Sequence, residues 1–384
     1  MTICLCMIVK DESHIITDTL KNILEHIPIS YWVISDTGSS DTTMDLIRTF
    51  FENAKIPGEL IQRPWVDFST NRNQVLDHAY KKTDYVLMFD ADDAFVGTVV
   101  LPPVMTEDAY LFKFGQGITY TRPAMFSNLK KWKYIGVLHE TLDVPSNEQR
   151  KASLVEGKYY INSGRTGSRN NNPRKYQDDA ELLERALVVE SNEILKTRYM
   201  YYCAQSYRDC REIDQSIRWY TACLDTTLNS NDKYVSTIEL GRLHLEKNQF
   251  DLAQLYWCRS VQYDSERIEG IVLLMEKLFE QRNFILIHAL YHRFKGYSRT
   301  QSYKPFYIEG LYDYMLEAYN SIAAPSVGDL ASGYECAKKV IMYSKNKNNV
   351  DTCIKNLAGY KVQYDKDPSF KSYMEKKLLD SVNA

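Results

Sequence analysis

The sequence predicts an α/β domain with a mostly parallel sheet, followed by an all-α solenoid of helical repeats. Three observations carry this reading. Three short apolar runs each stop at an acid, helical stripes lie between them, and from about Tyr176 helical periodicity continues to the end.

The first run, Thr2 to Val9, is apolar without alternation, as for a strand buried on both faces, and halts at Lys10-Asp11-Glu12. From His14 to about His26, Ile15, Ile16, Leu20, Ile23 and Leu24 form a helical stripe. Tyr31-Trp32-Val33-Ile34 is the next strand. It is closed by the polar loop Ser35 to Asp41, which leads into a helix bearing Met44, Leu46, Ile47, Phe50 and Phe51, with Ser40 or Asp41 placed to cap it. A helix is also predicted from Thr70 to Tyr80. Tyr85 to Phe89 then runs straight into Asp90-Ala91-Asp92-Asp93. This βαβαβ order implies parallel strands, whose carboxyl ends form the ligand-binding edge of open α/β sheets. Acids at i and i+2 of a strand point the same way, so Asp90 and Asp92 can face one divalent cation. Hard oxygen ligands suit Mg²⁺ or Mn²⁺ held against a phosphate. A solvated acidic turn would give the same local pattern.

The ordered set Met7-Ile8-Val9-Lys10-Asp11-Glu12, Asp36-Thr37-Gly38-Ser39-Ser40-Asp41, Asp67-Phe68-Ser69-Thr70-Asn71-Arg72-Asn73 and Phe89 to Asp93, followed by Gly136-Val137-Leu138-His139-Glu140, resembles the inverting family-2 glycosyltransferases. The resemblance spans about residues 2 to 176 and implies the GT-A fold, a Rossmann-like sheet domain. Asp11 stands where the family usually has Asn, and Asn162 where a second His is expected. The resemblance implies that Asp36 binds the donor's base and that Lys10 and Glu12 line the nucleotide pocket. Arg72 and Asn73 would organise its nucleotide side. Asp92 would hold Mn²⁺ or Mg²⁺, with Asp90 on the ribose or near the ion and His139 as a candidate third ligand. The general base would be Glu140, with Asp93 in reserve. Local chemistry offers plainer roles: a turn-forming Asx residue at Asp36, an Arg72–Asp90 salt bridge, and a packed, partly buried His139. The basic run Arg165 to Lys175 reads as a phosphate-binding lid or a solvated linker. Trp132 and Tyr134 read as acceptor stacking or, more simply, core.

Beyond Tyr176 a repeat emerges. Met200, Cys203, Ala204, Tyr207, Ser216, Tyr220 and Cys223 follow tetratricopeptide spacing. Thr237, Leu240, Gly241, His244, Ala253, Trp257 and Ser260 repeat it, and Ile271, Leu274, Met275, Leu278, Ile287, Tyr291 and Phe294 repeat it more loosely. Further helices are predicted around residues 305–320, 330–344 and 350–364. The predicted division is therefore 1–176 for the nucleotide-sugar domain and 177–384 for the repeats, which would bind a partner protein or a second copy.

A net charge of −3 gives no drive toward nucleic acid. The apolar start is too short for a signal peptide, and no run approaches the roughly 18 apolar residues needed to span a membrane. Eight cysteines without paired spacing fit reduced thiols in a cytoplasmic protein. The expected activity is metal-dependent transfer of a sugar, with a UDP-linked donor expected first, to a hydroxyl of a protein, glycan or lipid-linked acceptor, with inversion. The competing reading is a tetratricopeptide-type scaffold whose sugar-nucleotide domain is vestigial.

Overall fold

A computed structural model describes residues 1–115, 118–143, 151–164, 166–226, 230–297 and 306–382. The chain divides into two compact units, Met1–Leu228 with Tyr303–Tyr307, and Asn229–Ser302 with Ile308–Ala384.

In the first unit, strands and helices alternate as β1 (Ile3–Val9), α1 (Ile16–His26), β2 (Tyr31–Asp36), α2 (Thr43–Ala54), β3 (Gly58–Gln62), α3 (Phe68–Ala79) and β4 (Tyr85–Met88). There follow β5 (Asp93–Val100), β6 (Ala109–Phe114), β7 (Ile118–Ser127), β8 (Lys133–Ile135), β9 (Thr141–Asp143), β10 (Ala152–Leu154) and β11 (Glu156–Ser163). The main sheet runs β3-β2-β1-β4-β7-β6-β11-β5, with β10 on the edge of β6. Strands β3, β2, β1 and β4 are parallel, and β7 joins β4 antiparallel. The unbroken apolar runs of β1 and β4 are explained by their central place: Ile3 to Met7 and Val86 to Phe89 are nearly inaccessible, with helices on both faces. One face packs Leu5, Met7, Leu20 and Phe51 into a core, and the other packs Cys4, Cys6, Val75, Trp132 and Tyr134. Core packing is therefore the role of Trp132, whose indole N–H donates to the Ser127 carbonyl. Helices α4 (Lys175–Val189), α5 (Glu193–Asp209) and α6 (Ile213–Leu224) complete this unit. Apart from the two-residue strand Tyr307–Ile308, the strands end at Ser163, before the predicted division at 176, whereas the compact unit continues to 228.

The second unit holds α7 (Ser230–Glu246), α8 (Phe250–Tyr263), α9 (Glu269–Glu280), α10 (Phe284–Phe294), α11 (Met315–Ala323), α12 (Leu330–Tyr343), α13 (Lys347–Asn356), α14 (Lys361–Asp365) and α15 (Pro368–Val382). The repeat positions named from the sequence fall on α5 to α10, and all but Met200 and Phe294 are buried. Gly241 shows why a small residue recurs. A Cβ there would stand 2.2 Å from Trp257 Nε1, whose N–H donates to the Ile238 carbonyl. Glu269, fully buried, is satisfied by Arg267 and by the hydroxyls of Tyr234 and Tyr312. The eight cysteines are free. Among the described residues no helix is long and apolar enough to cross a membrane.

Candidate functional site

The parallel strands bring the predicted acids to one edge. Val9, Asp36 and Met88 close β1, β2 and β4, so Lys10 to Glu12, Asp36 and Asp90 to Asp93 emerge side by side where the strand order reverses. Asp36 is buried and folds back on its own loop, accepting from the Gly38 amide at 3.0 Å and the Ser39 amide at 3.1 Å. That is the Asx turn that the local sequence allowed. Lys10 is exposed at the rim. Asp11, in the left-handed region (φ 53°), accepts from the Ser40 amide at 2.6 Å, tying the first loop to the second.

The centre of the edge is a chain of alternating charges. Asp67 caps α3 by accepting from the Thr70 amide, which sets Arg72 on the first turns facing the sheet. Arg72 is buried. Its Nη2 donates to Asp90 Oδ1 at 2.6 Å, and its Nε lies 2.6 Å from Glu140 Oε1 as an ion pair off the N–H direction. Asn73, next along α3, exchanges two hydrogen bonds with the Tyr134 backbone, and the Tyr134 ring lies 5.5 Å from the Arg72 guanidinium. From the other side Arg122 Nη2 donates to Asp90 Oδ2 at 3.3 Å and Asp93 Oδ2 at 3.1 Å. Arg122 escaped the sequence reading. It reaches the acids only because β7 pairs antiparallel with β4, and no short-range pattern announces that.

These neighbours set the protonation states. Burial alone would raise Asp90, but the Arg72 and Arg122 charges outweigh it and hold the carboxyl down at about 2. Burial and the Asp90 charge push Asp93 up to about 7 against the pull of Arg122. Glu12 is likewise raised to about 7, chiefly by burial and despite the Ser168 amide on its carboxylate.

Asp92 differs from its neighbours. Among the described residues its carboxylate makes no ion pair and accepts one long hydrogen bond, 3.4 Å, from the Gly167 amide. The segment from Thr166 to Asn171 lies over Asp92 and Glu12. A Cβ on Gly167 would come within 3.3 Å of both carboxylates, so Gly fits where the backbone passes closest. Of the basic run, Arg165 lies outside the described residues. Arg169 pairs with the buried Asp179, and Arg174 with Asp178 and Glu181.

His139 sits in the left-handed region (φ 51°) and stacks on Tyr202 at 3.8 Å. The residue is exposed, yet desolvation of the ring and the nearby cations Arg198, Arg169 and Lys175 lower its pKa. Asp90, Asp92 and His139 do not gather their ligand atoms within 4.8 Å of one another. The structure thus joins Glu140, Arg72, Asp90, Arg122 and Asp93 in one network, with Asp92 and Glu12 together beneath Gly167. Lys10 and His139 stand outside these contacts. An open depression of about 570 Å³, lined by Trp32, Phe51 and Gly58, lies at the opposite end of β2 and β3.

A sheet edge of this kind, at a reversal of strand order, is where open α/β sheets bind their ligands. The family is more specific. Residues 4–107 match the model of Glycosyl transferase family 2, so a domain of that family occupies the first part of the chain. A search of curated proteins finds no match. Among solved structures the chain is similar to S. aureus TarS 1–349 in complex with UDP-GlcNAc, at 12% identity over 67% of this chain and 90% of that one, with a TM-score of 0.35. It is also similar to the mannosyltransferase PcManGT from Pyrobaculum calidifontis in complex with GDP-Man and Mn²⁺, at 12% identity over 67% and 86% of the two chains, with a TM-score of 0.34.

Proposed function

We propose that the chain transfers a hexose from a nucleotide sugar, UDP-linked by preference, to an acceptor hydroxyl with inversion, aided by Mn²⁺ or Mg²⁺. The observation that carries this reading is the contrast between Asp90, saturated by two arginines, and Asp92, which among the described residues takes only a long hydrogen bond from the Gly167 amide.

The residues present fit a magnesium-type ion. Such an ion needs only one or two carboxylates when substrate phosphates and water fill its other positions. Asp92 would supply the protein ligand. Asp90 would act through the ribose or the outer shell, its geometry fixed by Arg72 and Arg122, and His139 would remain a reserve ligand. When bound, the ion would stabilise the negative pyrophosphate leaving group. Asp36, Lys10 and Glu12 would line the nucleotide side, and Arg72 would hold the arrangement rigid. The acceptor hydroxyl would lose its proton to Glu140, which reaches solvent more than the nearly inaccessible Asp93 does. Asp93 is the alternative base, its pKa of about 7 being suited to the task. The helical repeats, of tetratricopeptide type, would present a protein, glycan or lipid-linked acceptor or a partner chain. Location in the cytoplasm belongs to the same proposal.

The scaffold reading with a vestigial sugar-nucleotide domain draws support from one observation: most acids of the edge are already internally paired. The deciding experiment measures nucleotide release from UDP-, GDP- and dTDP-sugars with Mn²⁺, Mg²⁺ or EDTA, for the wild type, Asp92→Asn and Glu140→Gln. Metal-dependent hydrolysis of one donor, reduced about a hundredfold or more by Asp92→Asn, is expected. Glu140→Gln should spare donor affinity and lower kcat about a hundredfold or more. Neither turnover nor a thermal shift with any nucleotide and metal would favour the scaffold.

A further inference from the structure

A second cluster of metal-ligating side chains lies in the helical unit. His288 and His292 are four residues apart on α10 and so share one face. Asp329 caps α12 by accepting from the Ser332 amide through Oδ1 at 3.0 Å, which leaves Oδ2 turned toward the two rings. Nε2 of His288 and Nε2 of His292 each lie 3.5 Å from that same Oδ2. One ligand atom from each residue falls within 4.8 Å of the other two. A separation of 3.5 Å is long for a hydrogen bond. It is close to the edge of a tetrahedron built on metal–ligand bonds of about 2.1 Å, which is about 3.4 Å.

The surroundings orient the ligands. Asn320 is fully buried, and its amide nitrogen donates to Ser332 Oγ at 3.1 Å and Cys336 Sγ at 3.3 Å. Its oxygen is thereby left to accept from His288 Nδ1 at 2.9 Å. The proton belongs on Nδ1, and the Nε2 lone pair points at Asp329. A ligating histidine is usually held by such a bond on its far nitrogen. His288, His292 and Asp329 are 18%, 38% and 36% exposed, enough for an ion to enter and for water to take a fourth position. Two contacts oppose the arrangement. The Ser332 hydroxyl lies 3.4 Å from His292 Nε2 and must turn away to free that lone pair. Lys295 Nζ lies 3.4 Å from His292 Nδ1 and must swing outward when that nitrogen carries the proton.

We infer that His288, His292 and Asp329 bind a divalent transition-metal ion of the zinc type, which clasps α10 to the start of α12. Imidazole pairs with one carboxylate favour Zn²⁺, Co²⁺ and Ni²⁺ over Mg²⁺. The site is independent of the sheet edge and of the transferase reading.

The test uses the full chain stripped with EDTA, then titrated with Zn²⁺ by calorimetry and with Co²⁺ by visible absorption. The wild type should bind one zinc that Asp92→Asn leaves in place and that His292→Ala weakens about tenfold or more. Bound Co²⁺ should show the intense absorption of tetrahedral coordination. Zinc at a hundred times its Kd should raise the melting temperature of the helical unit by about 5–10 °C, an increase absent in His292→Ala. His292 is largely exposed, so this variant retains its fold, as circular dichroism will verify. Equal zinc affinity and stoichiometry in the wild type and His292→Ala would overturn the inference, as would a wild type that takes up no zinc.

Discussion

Arg72→Met is the perturbation that most directly probes the sheet edge. Methionine keeps an unbranched apolar stem, ends short of the guanidinium position, and removes the charge that bridges Asp90 and Glu140. In the folded chain Asp90 is drawn from an ordinary 3.8 to about 2. At about 1.4 kcal/mol per pH unit, the net of burial and the two arginines favours the ionised Asp90 by roughly 2–3 kcal/mol. Glu140, 11% exposed, loses its cation as well. Breaking a buried ion pair from one side costs about 3–5 kcal/mol, and Arg122, 3.3 Å from Asp90, compensates in part. A loss of about 3 kcal/mol at pH 7 is therefore expected. The assay is urea unfolding followed by tryptophan fluorescence, because Trp32, Trp65, Trp132 and Trp219 lie in the first unit and only Trp257 in the second. With a urea slope of about 2–3 kcal/mol per molar, the midpoint should fall by about 1–1.5 M. The sign with pH follows from the depressed carboxyl. Its contribution is present above about pH 4 and is lost as pH falls toward 2, so the variant should show a shallower acid limb than the wild type. A stability change below about 1 kcal/mol would refute the argument, and so would failure of Asp90→Asn to recover stability in the Arg72→Met background.

Two further outcomes follow from the same structure. Asp93 has a raised folded pKa, so its contribution is complete below the unfolded value of 3.8 and is lost as pH rises through about 7. Asp93→Asn should accordingly flatten the decline of first-unit stability between pH 5 and 8, measured by urea midpoints at both ends. Gly241→Ala should destabilise the second unit by about 1–3 kcal/mol in thermal unfolding. The helical preference for alanine, worth about 1 kcal/mol, is outweighed by a methyl group driven into the Trp257 indole.

What could be read from the sequence depended on range. β1, β2 and β4 are central, and burial on both faces left apolar runs that stop at the acids of the candidate site. β3 was missed because it lies at the sheet edge, where Gly58 to Leu60 are only half-buried and the run Gly-Glu-Leu-Ile-Gln shows neither alternation nor continuity. Repeat positions such as Ala204, Gly241 and Trp257 were legible because close helix packing needs small and large residues at fixed spacing. The ion partners were a different matter. Arg72 to Asp90 spans 18 residues and could be anticipated from one helix and one strand. Arg122 to Asp90 spans 32 and depends on an antiparallel return that only the folded sheet reveals. His292 and Asp329 owe their approach to helix packing in the same way.

The arrangement at the edge also decides how its residues should be dissected. Glu140, Arg72, Asp90, Arg122 and Asp93 form an uninterrupted series in which every acid touches an arginine and Asp90 touches two. Three carboxylates and two guanidiniums sum to one negative charge, and a proton on Asp93 brings the series to neutrality. Such a series has no independent members, because removing one charge changes the field on all the others. Single substitutions along it will therefore report the network, and a loss of activity in Asp90→Asn or Arg72→Met does not assign either residue to the chemistry. Asp92 stands apart in its contacts: among the described residues it touches no arginine and takes one long backbone hydrogen bond, though its charge adds to the field that raises Asp93. A substitution there leaves the arginine contacts of the series in place. Asp92→Asn is therefore the variant whose effect on donor turnover is least confounded by them.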